Sequence, residues 1–144
     1  MTETAAVAPE KSQKYRRFPL GELVGIEVVS QSEGQAIAEM QAGPQHANPM
    51  GTLHGGVLCD LADTAMGVAF AGTLKDQESF TTLELKINFL RPVWDAKLRA
   101  EAEVVSRGRT VGMVDCKVFD ESGRLIASAT STCLVLRGEA AKNR

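Results

Sequence analysis

One predicted helix carries two features that could act on a carbonyl group. It begins with Gly55 and Gly56, whose backbone N–H groups no side chain covers. N–H groups at the positive end of a helix can receive a developing negative charge. About two turns later the same helix carries Asp63 among apolar residues, where a carboxylate is costly to bury unless it is paired or used. Gly55 and Asp63 are therefore the first catalytic candidates.

The spacing of these two residues has a consequence for assembly. Asp63 follows Gly55 by eight positions, which corresponds to roughly 12 Å along a helix axis. One helix cannot bring both groups to one small carbonyl. If both act on the same bond, they come from two copies of the helix, and the spacing then predicts a symmetric homodimer with two identical sites.

The elements that must position these residues can be predicted from periodicity. Apolar residues recur at helical spacing in an alanine-rich stretch, namely Val57, Leu58, Leu61, Ala62, Ala65, Met66 and Ala69. Segments with the pattern of strands lie at 26–30, 35–41, 81–91, 97–106, 110–119 and 124–136. Turn-forming residues between neighbouring segments favour antiparallel hairpins. We expect an α+β fold in which one curved antiparallel sheet of about six strands wraps a long central helix.

The clearest strand is 81–91, and its alternation predicts two faces. Thr81, Leu83, Leu85, Ile87 and Phe89 form one set, and Thr82, Glu84, Lys86 and Asn88 form the other. On this pattern Thr82 shares a face with charged residues. Pro92 then ends the strand or places its end at an edge of the sheet.

These residues together resemble a known family. The pattern is Asn48, then His54-Gly55-Gly56, then Asp63 within Leu-Ala-Asp-Thr-Ala, then a long strand that ends Asn-Phe-Leu-Arg-Pro at 88–92. It is similar to the hotdog-fold acyl-CoA thioesterases. Within them it is most like the phenylacetate-pathway (PaaI-like) branch of the 4-hydroxybenzoyl-CoA thioesterase superfamily. The resemblance extends over residues 18–136.

The resemblance implies a role for each polar residue of the pattern. Asp63 would be the catalytic carboxylate, either a general base that activates water or a nucleophile that forms a mixed anhydride. The Gly55 N–H would polarise the thioester carbonyl. Asn48 would orient the water or the carboxylate, and His54 would hold the loop or lie near the leaving sulfur. Thr82 would help to place the attacking water, although a solvent-facing threonine would look the same.

Coenzyme A would enter as part of the substrate, so no separate cofactor is expected. Its phosphates need cations, and guanidinium groups suit phosphate oxygens. The residues expected to bind the substrate or its coenzyme A part are Gly56, Leu90, Arg91, Arg107, Gly108 and Arg109. A solvated turn is the competing explanation for 107–109. Met66 and Phe70, with Leu53 and Leu58, are expected to line a pocket for an aryl or medium alkyl chain.

Two other functions stay open on the sequence. A hydratase or dehydratase of the same fold would also bind acyl thioesters, but the loop typical of the hydratases is only partly echoed by the residues at 46–51. A non-catalytic acyl-CoA sensor would bind without releasing thiol, and the presence of Asp63 argues against it. We therefore expect an acyl-CoA thioesterase that works as a homodimer, further assembled as a dimer of dimers.

Length and charge set the outer limits. The 144 residues suffice for one domain, which we expect at 17–137, between a mobile tail at 1–16 and a second tail at 138–144. A formal net charge of −2 gives no reason to expect a nucleic-acid partner. His46 and His54 lack the spacing of a common metal-binding pair, so we expect no metal.

The cysteines and the lack of a long apolar run indicate a compartment. Cys59, Cys116 and Cys133 form no C-x-x-C motif and are expected to be buried structural thiols, which favours a reducing environment. No segment has the apolar run of a signal peptide or a membrane span. We expect a cytoplasmic protein that has no membrane partner.

Overall fold

A computed structural model describes residues 15–144 of the chain. Within that range the elements follow in this order: helix α1 (Pro19–Val24), strands β1 (Ile26–Ser32) and β2 (Gln35–Ala42), a 3₁₀ turn (Pro44–His46), helix α2 (Gly55–Ala71), strands β3 (Ser79–Phe89), β4 (Ala96–Arg107), β5 (Val111–Asp120) and β6 (Leu125–Leu136), and a 3₁₀ turn (Gly138–Ala141). Each predicted strand is present, and its ends differ from the predicted ones by at most two residues.

The strands form one six-stranded sheet in the order β1-β2-β4-β5-β6-β3. Every neighbouring pair is antiparallel. Short turns join β1 to β2, β4 to β5, and β5 to β6, as the turn residues predicted. Strand β3 lies at one edge of the sheet, beside β6, although α2 and β3 both precede β4 in the chain. The α+β fold class predicted from the sequence is confirmed.

Helix α2 is the centre of the core because all six strands contact it. Its apolar positions recur at helical spacing, and eight of its residues are buried: Leu58, Leu61, Ala62, Ala65, Met66, Val68, Ala69 and Phe70. Val57, which shares the pattern, is only half-buried and packs at the margin of the core. Burial of this apolar face stabilises the helix far more than its intrinsic propensity does.

The alternation predicted for β3 is wrong at one point. The ladder between β3 and β6 shifts at a β-bulge between Thr82 and Glu84, where Leu83 is the extra residue. A bulge turns every residue before it to the opposite face. Thr82 therefore faces the helix together with Leu85, whereas a regular strand would have placed it beside Glu84 on the outer face.

The end of β3 and the first described residues can be compared with the sequence pattern. Strand β3 ends at Phe89, because the N–H groups of Leu90 and Arg91 both donate to the carbonyl of Ile126 and the chain then leaves the ladder.

Near the N-terminus, Tyr15 packs against the core. Most of the predicted tail at 1–16 lies outside the described residues, and the domain boundaries stay a prediction. No helix in the part of the chain that the structure describes is long and apolar enough to span a membrane.

Candidate active site

The N-terminus of α2 presents one free backbone donor. His54 is the N-cap residue, and its Nδ1 accepts a hydrogen bond of 2.9 Å from the Gly56 N–H. The Val57 N–H donates to the His54 carbonyl at 3.0 Å. Within residues 15–144, the Gly55 N–H has no acceptor, as expected for the first residue of a helix that no side chain caps at that position. Among these residues the Gly55 N–H is therefore available to a ligand, whereas the Gly56 N–H is already used; the catalytic role expected of Gly55 stays a prediction.

Asn48 organises the loop that leads to this helix. Its Oδ1 accepts hydrogen bonds from the N–H groups of Met50 and Thr52 at 2.9 and 3.2 Å, and its Nδ2 donates to the Thr52 hydroxyl at 2.9 Å. Gly51 has a φ of 90°, a conformation that favours glycine. The side chain of Asn48 is thus committed mainly to its own loop, which leaves one Nδ2 hydrogen for any contact with a substrate.

The loop, the start of α2 and the end of β3 enclose a cleft of about 340 Å³. Ten residues line it: Asn48, Thr52, Leu53, Gly55, Leu58, Phe89, Leu90, Arg91, Pro92 and Val93. The cleft brings together six of the predicted residues, including Asn48, Gly55 and Arg91. The wall is mostly apolar, and Arg91 is the one charged side chain among these ten described residues. A cleft of this composition suits an apolar group attached to a polar reacting centre.

Phe89 lines the cleft but was not among the residues predicted to form the site. An ideal Cβ on Gly55 would lie 2.8 Å from the Cζ of Phe89, so the tip of the ring rests against the Gly55 backbone. The alternation of β3 does place Phe89 on the helix face. That signal could have identified a residue near Gly55, but it does not reveal how closely the ring approaches.

The prediction that Met66 and Phe70 line the acyl pocket is wrong. Both side chains are fully buried in the core. The Phe70 ring packs against Phe80 with a centroid distance of 5.3 Å, and the guanidinium carbon of Arg107 lies 5.3 Å from the Phe70 centroid. Helical periodicity cannot distinguish the core side of a helix from a cavity, because both are apolar.

Asp63 and Thr82 form the second polar pair of the site. The Thr82 hydroxyl lies 3.4 Å from Oδ1 of Asp63 and is oriented to donate to it, a long contact that the β-bulge makes possible. Desolvation by nearby protein atoms raises the pKa of Asp63, and the charge of Asp60 raises it further. The hydrogen bond from Thr82 opposes both effects and lowers that pKa. Asp63 as a whole is still exposed in a single chain, so the carboxyl group has lost only part of its hydration.

Gly55 and Asp63 are not brought together within one chain. Both lie on α2, eight positions apart, so roughly 12 Å of helix axis separates them. Within one chain these two groups are therefore too far apart to act on the same carbonyl, as their spacing in the sequence indicated. In one chain the cleft holds the candidate oxyanion donor, and the candidate base lies beyond it along the helix.

The three arginines predicted to bind coenzyme A have different surroundings. Arg107 pairs with Glu78 at 3.1 Å and donates to the Thr73 hydroxyl at 3.0 Å, so its guanidinium is already engaged by contacts within the chain. Within residues 15–144, the side chains of Arg91 and Arg109 have no hydrogen bond or ion pair.

The hairpin that carries Arg107, Gly108 and Arg109 lies far from the cleft of the same chain. Arg107 contacts Phe70, and Phe70 is fifteen positions beyond Gly55 on α2, or about 22 Å along the axis. Gly108 closes the hairpin by donating to the Val111 carbonyl at 2.9 Å. Arg91 is thus the only predicted arginine that borders the cleft of its own chain.

The two histidines are neighbours in the fold, since the His54 N–H donates to the His46 carbonyl at 2.9 Å, but their rings have separate partners. The Nδ1 of His46 accepts from the Gly43 N–H at 3.1 Å, so its Nε2 donates to the Val24 carbonyl at 2.6 Å. Cys116 and Cys133 are buried, whereas Cys59 is only half-buried, which corrects the expectation for that residue. Among residues 15–144, no three His, Cys, Asp or Glu side chains come together as a metal site would require.

Comparisons with known proteins identify the family. A model described as the thioesterase superfamily matches residues 50–127. The chain is 30% identical over 116 residues to a 1,4-dihydroxy-2-naphthoyl-CoA hydrolase of Listeria monocytogenes, which covers 81% of this chain and 94% of the relative. It is 29% identical over 139 residues to acyl-coenzyme A thioesterase 13 of Pongo abelii, which covers 92% of this chain and 94% of the relative.

A solved structure gives the same result at the level of the fold. The structure of the Escherichia coli PaaI protein from the phenylacetic acid degradation operon superimposes with a TM-score of 0.81 at 26% identity, and the match covers 90% of this chain and 96% of that one. This agreement confirms the resemblance found in the motif. The chain belongs to the thioesterase superfamily, as a hotdog-fold thioesterase of the PaaI-like branch.

Proposed function

We propose that the protein hydrolyses an aryl-acyl or medium-chain acyl-CoA thioester to the free acid and coenzyme A. The Gly55 N–H polarises the thioester carbonyl and holds the oxyanion. Asp63 acts as a general base or as a nucleophile. The observation that carries this proposal is the free Gly55 N–H at the wall of an apolar cleft. Two relatives support the substrate class, since their names specify a naphthoyl-CoA and acyl-coenzyme A.

We propose that each site is shared by two copies of the chain. The separation of Gly55 and Asp63, roughly 12 Å, supports this arrangement. So does β3, an edge strand whose Leu83 is 55% exposed, since an unpaired apolar edge favours pairing with another chain. A dimer of dimers is the larger assembly we expect. Dilution tests this proposal: activity per chain falls when the chains separate, and a fully active monomer would contradict it.

The coenzyme A part of the substrate is assigned to the unpaired cations. Arg91 borders the cleft and has no ion-pair partner among residues 15–144, so it is free to meet a phosphate. The Arg109 side chain likewise has no ion-pair partner among the described residues, and in a dimer its hairpin can serve the site of the other copy. Arg107 is engaged by Glu78 and is better placed to hold the hairpin in position.

The test of the proposed function is thiol release from a panel of aryl and alkyl acyl-CoA esters, with the wild-type protein and Asp63→Asn. Asparagine keeps the size of the side chain and an oxygen that can accept from Thr82, but it cannot act as a base. We expect the variant to lose a factor of about 100 to 10,000 in kcat. Binding of the esters without any release of thiol by the wild type would refute the proposal and favour a sensor. Loss of an enoyl chromophore without thiol release would favour a hydratase.

The melting temperature of Asp63→Asn provides the control for its folding. The pKa of Asp63 is raised in the folded chain, chiefly by desolvation. A raised carboxyl pKa means that the folded state loses stability as pH rises from the unfolded pKa through the folded pKa. At neutral pH the wild type therefore bears that penalty, and Asp63→Asn does not. We expect the variant to melt at the same temperature or higher at pH 7, which separates loss of chemistry from loss of folding.

A further inference from the structure

Phe89 occupies an unusual position for a large aromatic side chain. It is the last residue of β3, and its side chain lies on the helix face of the sheet, opposite Ala127 of β6. The ring tip abuts Gly55, since an ideal Cβ there would lie 2.8, 3.1 and 3.2 Å from Cζ, Cε2 and Cε1. Phe89 is nevertheless 53% exposed in a single chain. One end of the ring is fixed against the helix, and the rest borders the open cleft.

This position brings the ring close to the reacting centre. An oxyanion held by the Gly55 N–H lies about 3 Å from that nitrogen, and the carbonyl carbon is one bond further. The ring tip already lies at contact distance from the Gly55 backbone. The carbon atom next to the carbonyl therefore lies beside the Phe89 ring, in the cleft that Leu53 and Leu58 also line.

We propose that Phe89 is a specificity-determining residue of the thioesterase reaction, whose ring admits acyl groups with an unbranched carbon next to the carbonyl and disfavours groups branched at that carbon. This inference rests on the proposed function, because it assumes that Gly55 binds the carbonyl. A branch adds a methyl group to the carbon atom that lies beside the Phe89 ring. Such a group cannot be accommodated without moving the ring from its contact with Gly55 or pulling the carbonyl away from its donor.

The experiment compares matched pairs of esters that differ only in branching. Butyryl-CoA is paired with isobutyryl-CoA, and phenylacetyl-CoA with 2-phenylpropionyl-CoA. For the wild type we expect kcat/KM to favour the unbranched member by about tenfold or more, the discrimination that one methyl group typically supports in a tight pocket. For Phe89→Ala we expect the ratio to fall to about threefold or less, chiefly because the branched ester reacts faster.

Two further variants make the result specific. Phe89→Leu keeps a smaller apolar side chain and should give a ratio of unbranched to branched kcat/KM between those of the wild type and Phe89→Ala. This variant keeps the test valid if the alanine variant is poorly folded. Trp94→Ala is the control, because Trp94 is an aromatic residue that is 60% exposed, follows the cleft residue Val93 and does not line the cleft. It should leave the ratio unchanged.

The possible outcomes separate this inference from the proposed function. If the wild type hydrolyses both members of a pair equally, or if Phe89→Ala and Trp94→Ala change the ratio alike, the role of Phe89 is refuted while the thioesterase activity stands. If the wild type hydrolyses no ester of either kind, the proposed function fails, and the inference fails with it.

Discussion

Removing the Gly55 N–H without disturbing the helix is the most direct test of the mechanism. Proline lacks the N–H and is favoured at the first position of a helix, which is the position of Gly55. His54 has φ −64° and ψ 130°, the extended conformation required before a proline. The donor has no acceptor among residues 15–144, so its loss breaks no hydrogen bond of the described chain. The obstacle is Phe89, whose ring would collide with any Cβ at position 55.

The collision determines the design. We compare Gly55→Pro with Gly55→Ala, both in a Phe89→Ala background that removes the ring. Both variants then carry a Cβ in the same space, and only the alanine variant keeps the N–H. An oxyanion donor is worth about 2.7 to 4 kcal/mol of barrier, which corresponds to a factor of about 100 to 1,000 in kcat. We expect the proline variant to be slower than the alanine variant by that factor.

The assay is thiol release at saturating concentration of an unbranched acyl-CoA, with thermal melting of both variants as a control for folding. Similar melting temperatures and a large difference in kcat support the role of the Gly55 N–H. If the two kcat values agree within about threefold, far below the loss that one oxyanion donor should cause, the carbonyl is polarised by another group. The reasoning from the free helix N-terminus is then refuted.

Three other predictions follow from the same geometry. Thr82→Val should shift the acid limb of the kcat/KM profile to higher pH, because the Thr82 hydroxyl lowers the pKa of Asp63. Thr82→Ser, which keeps a hydroxyl, should not shift it. If the valine and serine variants gave the same pH profile, the hydrogen bond between Thr82 and Asp63 would be contradicted. A short bismaleimide should link two chains through Cys59, because Cys59 lies midway between Gly55 and Asp63 and would fall near the two-fold axis of the proposed dimer; Cys59→Ala should abolish the product. Phe70→Leu should lower the free energy of unfolding by about 1 to 3 kcal/mol and leave the ratio of aryl to alkyl turnover unchanged, whereas an altered ratio would favour the pocket role that its burial argues against.

The fold could be predicted from the sequence because its signals are local and strong. Helix α2 shows a regular apolar period, and β3 shows alternation over most of its length. The position of β3 could not be predicted in the same way. It leaves α2 and pairs with β6, the last strand in the chain, and no local pattern specifies a partner so distant in sequence.

The site was predictable in its residue types and less so in its geometry. Asn48 was expected to orient water or the carboxylate, but its amide is used mainly by its own loop. Arg107 was expected at the coenzyme A site, and it pairs with Glu78. A sequence pattern shows that a polar group is present but does not show whether a neighbour already satisfies it. The roles of these two residues in catalysis and binding stay predictions.

The β-bulge in β3 links the fold to the chemistry. A regular strand would turn Thr82 away from the helix, and Asp63 would then lack the hydroxyl that lowers its pKa. Desolvation acts in the opposite direction, and in a single chain it is incomplete because Asp63 is still exposed. A second copy that covers this face would remove more water and raise the pKa further, which makes the carboxylate a stronger base. The same association would bring the Gly55 donor of that copy within reach. Dimerisation would therefore both complete the site and raise the pKa of its carboxyl group, so the pKa of Asp63 followed by NMR titration should fall when the dimer is diluted to monomers.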